Sequence, residues 1–242
     1  MNGSQKTSMA GRTVVITGGT SGIGEAAAIE LAAMGADLAI LARSEERAEA
    51  TRERIEARAD RECVRFFFGD MERLDDVRRV AEEMDDALER IDVLLNNAAV
   101  TMLSRSETPD GHETTFAVNH LAPFVLTLGL LPKILRSPGA RIVNTASEAH
   151  RFARFDPDDL QSEKRYGAMR VYGASKLANM LFTQELARRL EDRDVRIWSL
   201  HPGAVSTRLG ANNGGIAKPV SYTHLTLPTT DVGGSCRGWP DQ

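Results

Sequence analysis

The chain has 242 residues, 42% hydrophobic and 26% charged, with 30 basic residues against 34 acidic ones. That length and balance suit one soluble α/β domain, and a net charge of −4 offers no basic field for nucleic acid. Two cysteines, Cys63 and Cys236, match neither a disulfide framework nor a metal-ligand spacing, which fits a reducing, cytoplasmic setting and predicts no metal site. Residues 1–11 lack the basic-then-apolar pattern of a signal peptide and read as a flexible N-terminus. The apolar runs are short and punctuated, so no membrane span is expected.

Residues 12–17 (Arg-Thr-Val-Val-Ile-Thr) read as a buried strand. They lead into Gly18-Gly19-Thr20-Ser21-Gly22-Ile23-Gly24 and an Ala- and Glu-rich helix reaching about Met34. Strand, glycine turn and helix are the context a nucleotide-binding loop needs. Glycines let a pyrophosphate approach the backbone, and N–H groups at a helix start attract its charge. The spacing Gly18-x3-Gly22-x-Gly24 departs from the usual G-x-G-x-x-G, and an ordinary turn is the competing reading. A second strand, 37–42, ends just before Arg43. An acid there would hold a ribose 2′-hydroxyl, whereas arginine pairs with a 2′-phosphate, so NADP is favoured over NAD. The alternative is a solvated arginine opening the next helix.

Residues 44–60 read as an exposed, charged helix with Ser44 as its N-cap, and 64–68 as a third strand. Asp70, past that strand's carboxyl end, is placed either to accept from an adenine amino group or to cap a helix beginning near Glu72. A helical pattern over 74–88 precedes a fourth strand, 91–95, ending in Asn96-Asn97-Ala98-Ala99, whose small residues permit close packing beneath a ligand. After a loop over 101–111, a long helical stretch over 112–137 carries Asn119. Pro123 has no N–H, so the Asn119 carbonyl loses its normal helical partner. That carbonyl either holds a water of a proton relay or marks a plain proline kink.

A fifth strand, 141–145, is followed by Ser147, a loop over 148–167, and a helix running to about Glu191. Within that helix Tyr172 and Lys176 lie one turn apart on one face. A free tyrosine titrates near pH ~10, and a close ammonium lowers that value by roughly 1–3 units. The pair is a candidate acid/base for chemistry at a carbonyl or alcohol carbon, although the same spacing also describes an ordinary amphipathic surface. The sixth strand, 195–200, ends in His201-Pro202-Gly203-Ala204-Val205-Ser206-Thr207. Six strands alternating with helices predict an α/β doubly wound parallel sheet, a Rossmann fold, with no internal repeat.

Five separated segments then match one pattern. The chain resembles the short-chain dehydrogenase/reductase family over roughly residues 11–218, through Thr17-Gly18-x3-Gly22-Ile23-Gly24, Asn96-Asn97-Ala98-Ala99, Asn119, Ser147, and Tyr172-x3-Lys176 with Pro202-Gly203. Val118-Asn119-His120-Leu121 and Ser175-Lys176-Leu177-Ala178-Asn179 are most similar to the retinol dehydrogenase and WW-domain oxidoreductase branch. The resemblance implies that Tyr172 exchanges a proton with the substrate oxygen, that Lys176 lowers its pKa and holds the nicotinamide ribose, that Ser147 polarises the carbonyl, and that Asn119 maintains a water relay. It further implies that Gly18, Ser21, Gly22, Ile23 and Gly24 cradle a pyrophosphate and that Asp70 meets the adenine. Asn97, with Ala98 beside it, would meet the neighbouring ribose, and Pro202, Gly203 and Thr207 the nicotinamide side. The implied activity is NADP-dependent interconversion of an alcohol and a carbonyl, with NAD as second choice. The substrate would be a small molecule, an apolar aldehyde or ketone or a retinoid-like compound, and a homodimer is compatible with the family. A cofactor-binding but inactive homologue is the alternative.

Two departures accompany the resemblance. Ala99 stands where the family usually has glycine. From Ser221 to Gln242 the chain becomes rich in Thr, Gly and Pro without helical periodicity. The domain is therefore expected over 12–220, with a non-native or disordered tail over 221–242 in place of the family's seventh strand, as vector or adapter read-through would give.

Overall fold

The computed structural model of the chain describes residues 8–153 and 155–203. The expectations for Thr207 and for the tail over 221–242 fall outside those residues. Six strands form one parallel sheet: β1 (Thr13–Thr17), β2 (Asp37–Ala42), β3 (Val64–Phe68), β4 (Val93–Asn96), β5 (Ala140–Thr145) and β6 (Val195–Leu200). Their spatial order is β3-β2-β1-β4-β5-β6, the doubly wound order expected for a Rossmann fold.

Side chains alternate across the strands and so feed two cores. Val14 and Ile16 of β1, with Leu38 and Ile40 of β2, pack against Ala28 and Ala32 of α1 (Gly22–Ala33) and Ile55 of α2 (Glu45–Ala59). Met9 joins this cluster, and its amide donates to the Met34 carbonyl at 2.8 Å. On the other face Val15, Leu94 and Ile142 meet Val77, Val80 and Met84 of α3 (Leu74–Ala87), Leu126 and Leu130 of α5 (Ala122–Ile134), and Leu186 of α6 (Ala168–Arg189). The sequence patterns of β2, β3 and β6 place these strands with their observed bounds.

Elsewhere local bonds shift the ends. β4 runs over Val93–Asn96, two residues later at its start than the 91–95 expected, because the Ile91 amide donates instead to the Ser137 hydroxyl at 3.1 Å. Asp92 is held below the strand: burial pushes its pKa up, but hydrogen bonds from Arg12 (2.6 Å), the Thr13 amide and Arg90 outweigh that and keep its carboxyl low. Ser44 caps α2, its hydroxyl accepting from the Arg47 amide at 3.3 Å. The expected helix over 112–137 starts at Thr114, where the buried Glu113 carboxylate caps it by accepting from Thr115 N (3.0 Å) and Phe116 N (2.6 Å).

That helix is not uniform. α4 (Thr114–Phe116) passes through a π turn (Ala117–Leu121) into α5. Among the described residues it is the one helix long and apolar enough to cross a membrane, contrary to the short apolar runs read from the sequence. Its Ala122, Leu126, Leu130 and Ile134 are fully buried in the core, which accounts for that apolarity.

Candidate active site

Parallel strands deliver the loops after β1, β4, β5 and β6 to one edge, and the crevice opens where the strand order reverses, between β1 and β4. The glycine loop fills the β1 side of it. Gly18 has φ +69°, and a Cβ there would fall 2.8 Å from the Ala98 Cα. A Cβ on Gly24 would fall 2.2 Å from the Gly18 carbonyl oxygen and 2.5 Å from Asn97 Nδ2. The glycines thus let the loop close on itself and on the segment after β4. Ser21 is the extended N-cap of α1, yet no side chain caps that helix start, and Gly22 and Ile23 follow in its first turn. A helix start offering its backbone N–H groups in this way fits a phosphate group. Glu25 would oppose an anion there, but its carboxylate is bonded to Arg54 and Thr51.

Thr17 clamps the two sides together. Its hydroxyl accepts from the amides of Asn97 (3.0 Å) and Ala98 (3.1 Å). Asn97 Nδ2 donates to the carbonyls of Thr17 and Gly18, both at 3.4 Å, so in this structure the Asn97 amide braces the glycine loop. Arg43 and Asp70 lie beyond β2 and β3, on the opposite side of β1 from Tyr172. Arg43 is exposed and, among the described residues, makes one long 3.5 Å contact, with Glu72. Asp70 accepts from the Glu72 amide at 3.0 Å and donates its own amide to Asp76, ordering the turn that precedes α3. The helix itself begins at Leu74, where the helical pattern over 74–88 starts, rather than near Glu72.

The other side of the crevice is built from α6. Tyr172, Ser175, Lys176, Asn179 and Thr183 form a buried polar stripe along its inner face. Buried polar groups need partners, and each has one. Lys176 Nζ donates to the Thr145 carbonyl at the end of β5 (3.0 Å) and lies 5.6 Å from the Tyr172 ring centroid. Ser147 hydrogen-bonds Tyr172 and, through its hydroxyl, accepts from the Ala149 amide at 3.2 Å. The fully buried Asn119 side chain reaches α6 and the β4 loop at once: Oδ1 accepts from Val100 N (2.7 Å), and Nδ2 donates to Val100 O (3.0 Å) and Ser175 Oγ (3.1 Å). Pro202 and Gly203 follow β6 at the same edge.

Burial dominates the protonation of this pair. It pushes the Tyr172 phenol up, opposed by the Ser147 hydrogen bond, and it pushes Lys176 down to about 8. In the protein as it stands the phenol is therefore protonated at neutral pH, rather than lowered by the neighbouring ammonium as the spacing suggested.

Asn96 stood in the quoted motif, but its partners Thr127 and Asn144, and Thr183 beyond them, escaped the sequence reading. Asn96 Nδ2 donates to Asn144 Oδ1 (2.8 Å) and Thr127 Oγ1 (2.9 Å), and Asn144 Nδ2 to Thr183 Oγ1 (2.9 Å), tying β4, β5, α5 and α6 through one buried network. The histidines near the motifs all have partners: His120 with Asn179, His150 with the Ser147 carbonyl, His201 with Glu148. Among the described residues no group of three His, Cys, Asp or Glu side chains could hold a metal ion.

A family model for short chain dehydrogenases matches residues 12–215, which include this whole arrangement. The chain belongs to the short-chain dehydrogenase family. It is 39% identical to human retinol dehydrogenase 13 over 221 residues, covering 91% of this chain and 67% of that protein. Against mouse retinol dehydrogenase 12 the identity is 40% over 203 residues, covering 84% and 64%. The chain thus spans about two thirds of the length of these relatives. A Pseudomonas aeruginosa RhlG/NADP active-site complex superposes with a TM-score of 0.69 at 28% identity, covering 83% of this chain and 75% of that one.

Proposed function

We propose that this short-chain dehydrogenase interconverts an alcohol and a carbonyl with NADP(H), using Tyr172 as acid/base. The observation that carries the reading is the meeting of Tyr172, Lys176 and Ser147 at the strand edge beside a phosphate-shaped glycine loop. The loop and the start of α1 would hold the diphosphate, and exposed Arg43 the 2′-phosphate. When bound, NADPH supplies the hydride that the carbonyl carbon accepts. Ser147 would hold the carbonyl oxygen by a hydrogen bond. The protonated Tyr172 phenol would give that oxygen its proton in the reductive direction and take it back in the oxidative one. Lys176, fixed on the Thr145 carbonyl, would stabilise the resulting phenolate, and the Asn119 carbonyl, denied its helical donor by Pro123, would anchor the water that returns the proton.

An apolar aldehyde, ketone or retinoid-like substrate suits the loops flanking this edge. Leu103, Phe155, Leu160 and Met169 expose large apolar surfaces there, and Tyr166 Oη ties the two loops together by donating to the Met102 carbonyl at 2.7 Å. Retinol dehydrogenases among the relatives support the same class. Exposed Phe124, Leu128 and Leu181, on adjoining faces of α5 and α6, support a homodimer, which sedimentation of the purified chain tests against a monomer.

The test is NADPH-dependent reduction of an aliphatic aldehyde and of retinal, beside NADPH fluorescence quenching. Turnover that Tyr172→Phe lowers by about 100-fold or more, with quenching retained, is the expected result. Quenching without any wild-type turnover would leave a cofactor-binding protein and refute the catalytic reading.

A further inference from the structure

Asn179 has no part in the chemistry above, yet it is buried at the centre of the polar stripe, seven residues after Tyr172 and three after Lys176. It meets a backbone group that the helix leaves without its normal partner. Residue 123 is proline, so the Asn119 carbonyl has no N–H four residues on, and the π turn gives the Ala122 amide to Ala117 instead. Asn179 Nδ2 fills the gap, donating to Asn119 O at 2.8 Å.

The rest of the contact set holds that amide in one orientation. With nitrogen facing Asn119, Asn179 Oδ1 faces His120 Nδ1 at 3.0 Å, so that ring nitrogen carries the proton. His120 sits among Phe116, Phe124 and Phe182, with ring centroids 5.2–6.4 Å away. Burial there pushes its pKa down against the Asn179 bond, which keeps the imidazole neutral. Behind it, the Asn179 carbonyl accepts from Thr183 Oγ1 at 2.7 Å, and Thr183 is bonded in turn to Asn144 of β5.

We propose that Asn179 is a positioning residue for the reaction: locked by His120, its carboxamide takes one lone pair of the Asn119 carbonyl and aims the other at the proton-return path to Lys176 and Tyr172. The inference rests on the catalytic reading above. A carbonyl has two lone pairs, and a fixed donor on one of them defines the direction left for a water. Without Asn179 the carbonyl would recruit a water in its place, and the aim would be lost.

The experiment measures NADPH-dependent aldehyde reduction by the full chain in H₂O and D₂O. Asn179→Ala is expected to lower kcat about tenfold, the equivalent of one lost hydrogen bond. KM and NADPH affinity should stay near wild type, while the solvent isotope effect on kcat rises as proton return becomes limiting. His120→Leu frees the carboxamide and should shift the isotope effect the same way. His120→Gln, which can still donate to Oδ1, should restore it. Thr183→Val, which removes support behind Asn179, should lower the melting temperature without moving the isotope effect. Unchanged kcat and isotope effect in Asn179→Ala would overturn the proposal. So would a parallel loss of NADPH affinity, or an equal isotope shift in Thr183→Val. If Asn179→Ala does not fold, the His120 pair decides, and identical isotope effects in Leu, Gln and wild type refute it. A wild type without turnover removes the catalytic reading and this inference together. Turnover sensitive to Tyr172→Phe but indifferent to Asn179 and His120 removes only the inference.

Discussion

Lys176 tests the electrostatics of the site independently of any substrate. The residue is 1% exposed, and its ammonium donates to the Thr145 carbonyl and has its pKa lowered by burial from 10.5 to about 8. A lysine whose pKa falls on folding binds its proton more tightly in the unfolded chain, so between those values stability rises with pH. Below pH 8 both states are protonated and the full cost is present; above 10.5 both are neutral and the cost is gone. For a shift of that size the linkage relation gives a cost of about 3 kcal/mol at pH 7 and about 1 kcal/mol at pH 10. Lys176→Met removes the titration while filling similar volume. It also leaves the Thr145 carbonyl unbonded, which costs about 1–3 kcal/mol at every pH. Urea melts of both proteins at pH 7 and pH 10 therefore isolate the ionisation. Wild type is expected to gain about 2–3 kcal/mol relative to Lys176→Met across that interval. Parallel stabilities would refute the account, because they would mean that Lys176 is not desolvated.

Three further outcomes follow from the glycine loop, the cofactor end and the tail. Arg43→Ala should weaken NADPH binding by roughly 10–100-fold, the worth of one charge-assisted bond, and leave NADH binding alone; equal losses for both would return Arg43 to an ordinary surface role. Gly24→Ala puts a methyl 2.2 Å from the Gly18 carbonyl oxygen, so the loop must open. NADPH quenching should disappear and the melting temperature fall, and retention of both would show that the loop is looser than its contacts imply. Deleting residues 221–242 should leave melting temperature and NADPH binding unchanged, and a marked drop in either would show that the tail belongs to the domain.

What was legible in the sequence divides along physical lines. β2, β3 and β6 are short apolar or β-branched runs between turn residues, and such runs have few other ways to fold. The glycine loop, Asn119, Ser147, Tyr172 and Lys176 stood out in the sequence through their types and order. The π turn was not: Thr114–Ile134 is apolar enough to read as one continuous helix, and only Pro123 hinted that its ladder was interrupted. Nor were the partners of the site. Asn144 and Thr183 interrupt apolar elements and belong to no motif, though with Asn96 of the quoted motif they make the bonds that join the sheet to α5 and α6. Glu113 was hidden for a related reason, since a fully buried carboxylate is rare unless backbone amides receive it.

These buried polar residues explain how the fold and the chemistry share one element. An apolar inner face on α6 would pack more cheaply, yet the helix presents tyrosine, serine, lysine, asparagine and threonine to the core. Each requires an acceptor or donor at a fixed place, and those places come from irregularities elsewhere: the end of β5 for Lys176, the π turn and Pro123 for Asn179, and Asn144 for Thr183. The π turn is the key irregularity. It puts the Asn119 side chain on Val100 and Ser175 while sending its carbonyl to Asn179. A regular, proline-free helix at Asn119 would turn that carbonyl back along its own axis and leave Asn179 buried without an acceptor. The same bonds that make the stripe tolerable in the core therefore set the directions of the groups around Tyr172, and a substitution that relieves the cost of burial there should also disorder the site.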